Sequence, residues 1–220
     1  MAKVVVFGIQ DFASLAHFYL RRDSEHEVVA FCVNREYLPA DATLEGLPVV
    51  AFEDVETAYP PAEYAFFAPL SPKKMNKLRE GVYRGIKAKG YRLISYISSR
   101  ATVWMPEAIG DNCFILEDNT IQPYVTIGNN VVLWSGNHIG HHSTIGDHVL
   151  FTSHVVLSGH CRVGSHCFFG VNATIRDGLT IGDGTLVAMA AAITRDTEPW
   201  GVYKGNPAKK SDVSSADLDF

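Results

Sequence analysis

The chain has 220 residues, with 19 Lys and Arg against 24 Asp and Glu, for a formal net charge of −5. At 47% apolar residues it has material for one or two compact cores, and without a basic excess it has no electrostatic draw toward a nucleic-acid backbone. The N-terminal apolar run, MAKVVVFG, ends at Gly8, too short for a signal-peptide core or a membrane span, and its four cysteines form no C-x-x-C pair, which fits reduced thiols in a cytoplasmic protein.

In chain order, Lys3–Phe7 reads as a strand that Gly8 ends. Asp11 is placed to cap a helix through Leu20, with Phe12, Leu15, Ala16 and Tyr19 at helical spacing. Glu27–Val33 is a second strand and residues 64–68 a third. A helix is predicted from Ser71, with Met75, Leu78 and Val82 in its stripe, and a further strand over 91–97. Strands alternating with helices over residues 1–96 predict a small parallel α/β sheet covered by helices.

From Ile97 the period becomes six. Ile97, Val103, Ile109, Ile115, Ile121, Ile127, Leu133, Ile139, Ile145, Phe151, Leu157, Val163, Phe169, Ile175, Ile181, Val187 and Ile193 follow one another at intervals of six without an insertion. The position four after each is mostly small or thin, as at Ala101, Cys113, Ser143, Cys161, Cys167 and Ala173. One bulky and one small inward residue per short strand fill a narrow three-sided column, closing a turn in about 18 residues. Residues 97–220 are therefore read as a second domain, a parallel β-helix with a C-terminal tail.

Seven of the nine histidines lie between 138 and 166. Five of them, His142, His148, His154, His160 and His166, recur every six residues, three after the key residue, where the chain turns between faces. Polar residues suit such turns, and residues 18 apart stack, so His142 is expected over His160 and His148 over His166. His138 and His141 break that rhythm. His141 is two after its key residue, pointing outward from a flat face.

The strand-helix first half, the unbroken hexads and the terminal GVYKGNPAKK together resemble the sugar acyltransferases of the sialic-acid O-acetyltransferase type. That hexapeptide-repeat family includes N-acetyltransferases acting on nucleotide-linked amino sugars. The resemblance implies a Rossmann-like nucleotide-sugar-binding domain (1–96) and a left-handed parallel β-helix (97–220). It further implies acetyl-CoA as acyl donor, no metal, a cytoplasmic homotrimer with sites between subunits, and a part in polysaccharide biosynthesis. It makes His141, in GHHSTIGD, the general base. Imidazole titrates near neutrality and is suited to take a proton as an amine attacks a thioester.

By the same resemblance, Gly159 supplies the amide for the oxyanion. Gly170, Val171 and Ala188 line the pantetheine path, and Lys204, Lys209 and Lys210 meet a coenzyme A phosphate. His138, Gly8, Gln10, Asp11, Asn34 and Arg35 face the acceptor or its nucleotide. The pattern departs from the family in four places, one of them Asn34-Arg35, which stands where an acidic pair follows the second strand. His142 stands where an acidic residue commonly orients the base, so Asp147, Glu117 or a residue of a neighbouring chain is left to do so. Leu150 stands where a second histidine is expected, with His154 as its replacement. GIQDF replaces a glycine-rich turn. Zinc-binding members of this solenoid class take histidines 36 and five residues apart, and no pair here has either spacing. Two other readings stay open: a sugar O-acetyltransferase acting on sialic acid or a polysaccharide precursor, and a non-catalytic trimeric scaffold.

Overall fold

The computed structural model describes residues 1–218, in two compact units. One comprises Met1–Ser71 and Gly81–Tyr96. The other comprises Pro72–Glu80 and Ile97–Phe220, of which residues 219 and 220 lie outside the described part.

The first unit contains β1 (Lys3–Phe7), α1 (Asp11–Asp23), β2 (Glu27–Val33), β3 (Thr43–Leu44), β4 (Leu47–Ala51), α2 (Val55–Ala58) and β5 (Tyr64–Phe67), followed by most of α3 (Lys77–Ala88). The sheet order is β3-β4-β2-β1-β5. Strands β1, β2, β4 and β5 run parallel, and β3 pairs antiparallel with β4. The sheet is an apolar sandwich centre, with Val4, Val5, Val6, Phe31, Phe66 and Phe67 fully buried, as β-branched and aromatic runs favour.

Four sequence expectations shift here, the first being that the strand expected over 91–97 is reduced to an isolated bridge at Leu93 and a two-residue strand at Tyr96–Ile97. Asp11 is the first residue of α1 and Gln10 its cap, with no side-chain cap bond. The buried face of α1 is Ala13, Ala16, His17 and Leu20, one position off the predicted stripe. Small Ala13 and Ala16 let the helix approach the sheet, leaving Phe12, Leu15 and Tyr19 half-exposed. The predicted helix at Ser71 begins instead at Lys77, because Lys74, Met75 and Asn76 all have φ between 49° and 63°, which no right-handed helix accommodates.

The second unit is a parallel β-helix. One wall stacks Phe114–Ile115, Val132–Leu133, Leu150–Phe151, Phe168–Phe169 and Leu186–Val187. The next stacks Thr102–Val103, Thr120–Ile121, His138–Ile139, Val156–Leu157, Thr174–Ile175 and Ala192–Ile193. The third stacks Thr126–Ile127, Thr144–Ile145, Arg162–Val163 and Thr180–Ile181. Within each wall these rungs pair at a spacing of 18 residues, and Leu186–Val187 pairs further with Val202–Tyr203, 16 residues on. From Ile115 to Ile193 every key residue is buried, and Phe151 stacks on Phe169 with ring centroids 4.2 Å apart. The first key residues, Ile97, Val103 and Ile109, are only half-buried, with a 3₁₀ turn at Pro106–Ala108 before Ile109.

The corner positions explain the histidine rhythm. Asn112, Asp118, Tyr124, Asn130, His142, His148, His154, His160, His166, Asn172 and Ala190 all have φ between 55° and 65°. This left-handed conformation favours Asn, Asp and His among non-glycine residues. All four cysteines are buried thiols outside any disulfide. Burial pushes the Cys167 thiol up to about 12, so it behaves as a small apolar filler. Among the described residues, no helix is long and apolar enough to cross a membrane.

The segment Pro72–Glu80 belongs with the β-helix. Asn76 Nδ2 donates to the carbonyls of His166 and Cys167, both at 3.3 Å. Arg79, wholly buried, donates through Nη2 to Asn76 Oδ1 (2.9 Å) and to the carbonyls of His148 (3.1 Å) and Val149 (3.3 Å). Its Nε and Nη1 have no partner. Burial pulls the guanidinium down to about 9.

Candidate active site

His141 lies at the outer end of the wall strand His138–Ile139, one residue before the His142 corner, and both imidazoles are exposed. Its backbone N–H donates to Gln122 Oε1 on the preceding turn at 2.9 Å. Its Nδ1 is 3.1 Å from His142 Nδ1, so at most one of the two nitrogens carries the proton between them. His142 is in turn sandwiched between Tyr124, 4.6 Å away, and His160, 4.9 Å away and inclined by 17°. The expected stack of His142 on His160 is present, as is that of His148 on His166 at 5.0 Å.

Neither carboxylate proposed to orient His141 reaches it. Asp147 Oδ1 accepts from the backbone and side-chain N–H groups of Asn129 at 2.6 and 3.1 Å. Glu117 Oε1 accepts from Ser135 Oγ at 2.9 Å. The group at hydrogen-bond distance from its Nδ1 is His142. His154 turns at a different corner, against Gly136, and Leu150 is buried in the wall.

Gly159 is one turn beyond His141, and the ring lies on it. A methyl group at Gly159 would sit 2.9 Å from Cε1 and 3.0 Å from Nε2 of His141, closer than real side chains pack. The carbonyl of Gly159 accepts from Gly178 N–H. Its own N–H donates to no acceptor among the described residues. An unpaired amide beside an exposed imidazole is a donor–acceptor pair suited to a carbonyl whose oxygen gains charge.

The other residues expected at the acyl donor lie elsewhere on the column. Gly170, Val171 and Ala188 flank the corner at Asn172, two walls along the chain from Gly159. Gly170 is buried with its N–H on Val187 O (2.7 Å), and Ala188 N–H donates to Tyr203 O (2.9 Å). Beside them Val171 and Met189 are 41% and 75% exposed, an apolar strip that hexad reading left unremarked. A hexad step of 12 moves two faces around a three-sided coil, so one chain does not bring these residues to His141. His138 is half-buried within its rung, pairing with Thr120 and Val156.

Lys204 and Lys209 are a cross-strand pair in the hairpin formed by Gly201–Lys204 and Lys209–Ser214, and both are exposed. Lys209 and Lys210 line a cleft of about 540 Å³ with Arg195, Asp196, Glu198 and Tyr203. Lys210 is already paired with Glu198.

In the first unit, Gly8 follows β1 with φ 118°, a conformation that glycine adopts freely. Its N–H donates to Cys32 O at 2.8 Å. Gly8 and Asn34 thus mark the carboxyl ends of two adjacent parallel strands. The sheet order places the topological switch between β1 and β5, and the side chain of Leu70, after β5, is 3.3 Å from a Cβ built on Gly8. Ligands of open α/β sheets bind at such a switch. The loop after β5 went unnoticed in the sequence because strand order is invisible there. Gln10 and Asp11 are exposed at the start of α1. Asp11 also lines a groove of about 810 Å³ along α1, with Ser14, His17, Phe18, Arg21 and Glu45. Arg35 is less available than expected. Its guanidinium is paired with Asp54, and its amide N–H donates to Glu53 at 3.0 Å.

Among the described residues, two clusters bring potential metal ligands together, each with its ligand atoms within 4.8 Å of one another: His141, His142 and His160, all exposed, and Glu80, His148 and His166. In the second, His166 Nε2 is 2.9 Å and His148 Nε2 3.7 Å from Glu80. His148 is held well below its ordinary value, at about 4, chiefly by burial and then by His166, against the opposing pull of Glu80 and Asp147.

Comparison with known proteins agrees with this architecture. A family model of bacterial transferase hexapeptides (six repeats) matches residues 108–140 and 124–159, and one of the hexapeptide repeat of succinyl-transferase matches 161–195. A chloramphenicol acetyltransferase of Agrobacterium fabrum is 46% identical over 37 residues, 17% of this chain and 18% of that protein, so the match spans less than a fifth of that relative.

Among solved structures, a histidine-to-asparagine mutant of perosamine N-acetyltransferase from Caulobacter crescentus, in complex with CoA and GDP-perosamine, superposes with a TM-score of 0.84. It has 24% identity and covers 97% of this chain and 98% of that one. The acetyltransferase domain of PglB from Neisseria gonorrhoeae gives 0.83 at 20% identity, over 96% and 100% of the two chains. WeeI from Acinetobacter baumannii gives 0.77 at 20% identity, over 96% and 100%. These likenesses establish the fold over nearly the whole chain: a parallel α/β unit followed by a hexapeptide-repeat β-helix.

Proposed function

We propose that this chain, a parallel α/β unit joined to a hexapeptide-repeat β-helix of the bacterial-transferase kind, is an acetyl-CoA-dependent N-acetyltransferase acting on a nucleotide-linked amino sugar. The observation that carries the reading is the exposed imidazole of His141 resting on Gly159, whose N–H has no acceptor among the described residues. The likeness in fold to proteins solved with CoA and GDP-perosamine supports the substrate classes.

In this reading the His141 Nδ1–H donates to His142 Nδ1, leaving Nε2 unprotonated toward the acceptor. The sugar amine attacks the thioester carbonyl, forming the C–N bond, and its proton passes to His141 Nε2. The oxygen of the tetrahedral intermediate accepts from Gly159 N–H. Collapse breaks the C–S bond, and the thiolate leaves with the proton from His141. His142 takes the orienting part that a carboxylate plays in the resembling family.

The acyl donor runs along Gly170, Val171 and Ala188 toward the basic cleft at Arg195 and Lys209. Because those residues and His141 occupy different corners of one column, the complete site forms between copies in a trimer. The nucleotide sits at the carboxyl ends of β1 and β2, near Gly8, Gln10, Asp11 and Asn34.

The test is a thiol-release assay with acetyl-CoA against nucleotide-linked sugars bearing either an amine or only hydroxyls. Transfer to the amine, lost in His141→Asn by about 10²–10⁴-fold, is expected. Transfer only to hydroxyl sugars would make the chain an O-acetyltransferase. Full activity of His141→Asn would remove the general base.

A further inference from the structure

The three-histidine cluster at the His142 corner has a second chemistry. His141 and His142 are neighbours in sequence, and His160 is stacked beneath them by the 18-residue turn. The His141 ring is edge-on to both others, at centroid distances of 5.2 and 4.9 Å. Their ligating nitrogens lie within 4.8 Å of one another, and the Nδ1 atoms of His141 and His142 are 3.1 Å apart. A tetrahedral zinc ion with zinc–nitrogen bonds of about 2.0–2.1 Å holds its ligand nitrogens about 3.3–3.4 Å apart. The His141–His142 pair therefore nearly spans the edge of such a polyhedron, and a small rotation of the exposed His160 ring supplies a third corner.

The backbone favours the arrangement. His142 and His160 sit at φ 59° in the rigid corner ladder, and His141 is pinned through its amide to Gln122. Ligands held by stacked turns lose little freedom on binding. Among the described residues no cationic side chain is paired or stacked with these rings, and the exposure of all three in the single chain leaves the fourth position open.

We propose that His141, His142 and His160 form a binding site for a divalent transition-metal ion of the zinc type, with three imidazole nitrogens and an open fourth position. An ion held there takes a lone pair of His141. Resting on the general-base reading above, this makes metal occupancy and acyl transfer mutually exclusive, so that the metal is an inhibitor and not a cofactor.

Cobalt(II) titrated into the metal-free full chain near neutral pH tests the site without any assay of activity. The expected result is a visible absorption band that saturates at one ion per chain and is displaced by zinc. His160→Asn, which keeps a residue tolerant of the corner conformation, is expected to weaken binding by about tenfold or more with an unchanged melting temperature. His141→Asn is expected to do the same. No band, no calorimetric heat with zinc up to roughly millimolar concentration, or binding equal in all three proteins would overturn the site. In the transferase assay, zinc is expected to inhibit the wild type at concentrations that leave His160→Asn near its own metal-free rate; equal inhibition of both would overturn the exclusion. Cobalt binding in a chain that transfers acetyl to nothing would uphold the site and remove the transferase reading instead.

Discussion

At the scale of single residues, Gly159 is the most exacting position of the site. A Cβ there meets the ring of His141 at about 3 Å, and that ring is the free end of an exposed side chain, so it swings aside at little cost to the fold. Gly159→Ala should therefore lower kcat by about 10²-fold, as a displacement of about 1 Å can, while the melting temperature stays within a degree or two of wild type. A large loss of stability would instead place the constraint in the backbone. His148 gives a second test. Its folded value of about 4 lies below the ordinary 6.5, so the unfolded chain takes up a proton at higher pH than the folded chain does. Stability is then fully present above about 6.5, falls as the pH drops toward 4, and levels off for this group below that. The groups facing it are Glu80, His166, Asp147 and Arg79. Melting temperatures of wild type and His148→Asn across that range should converge at low pH; parallel curves would remove His148 as the titrating group.

At the scale of elements, the corner ladder is the device that makes the column. A left-handed residue every six positions turns the chain without inserting a loop, and the conformation costs an ordinary residue about 1–2 kcal/mol. His154, at φ 61° and exposed, separates this backbone effect from side-chain contacts. His154→Val should destabilise by about that amount and His154→Asn by much less, as read by urea midpoint at constant slope. Equal effects would mean that the imidazole, not the corner, matters. The segment Pro72–Glu80 is built on the opposite logic. Three successive left-handed residues stop a helix from starting at Ser71 and deliver Met75, Asn76 and Arg79 to the wall, where Met75 joins Leu186 and Val202 in a small apolar cluster. Arg79 is held by carbonyls and an amide oxygen, hydrogen bonds that the positive charge strengthens.

At the scale of the whole molecule, the separation of His141 from Gly170, Val171 and Ala188 around one column is what, on the proposed function, calls for a second copy. Sedimentation equilibrium should give three times the chain mass of 24.2 kDa. A monomer with full transferase activity would end the intersubunit reading. Acetyl-CoA should raise the melting temperature, since a ligand at 100 times its dissociation constant adds about 2.7 kcal/mol to a state that alone binds it. Val171→Asp, on the exposed apolar strip, should abolish that shift.

The repeat was legible because each hexad is self-contained. Ile139, Ile145 and Phe151 need only their own six residues to announce an inward position, and identical spacing then dictates stacking, so the histidine stacks follow by arithmetic. The first half yielded β1, β2 and β5 for a like reason: Lys3–Phe7 and Glu27–Val33 are apolar runs closed by breakers. What local pattern does not hold is pairing across distance. The face of α1 that is buried, the left-handed turns at 74–76, the switch between β1 and β5 and the capture of Arg35 by Asp54 each depend on a partner remote in sequence. The candidate site divides along the same line. An outward histidine two places after Ile139 was readable from the repeat alone. That His142, rather than Asp147 or Glu117, stands at its Nδ1, and that the Gly159 N–H beside it meets no acceptor among the described residues, was decided only when successive turns came into contact, because hydrogen bonds select by distance in space and the sequence records only distance along the chain.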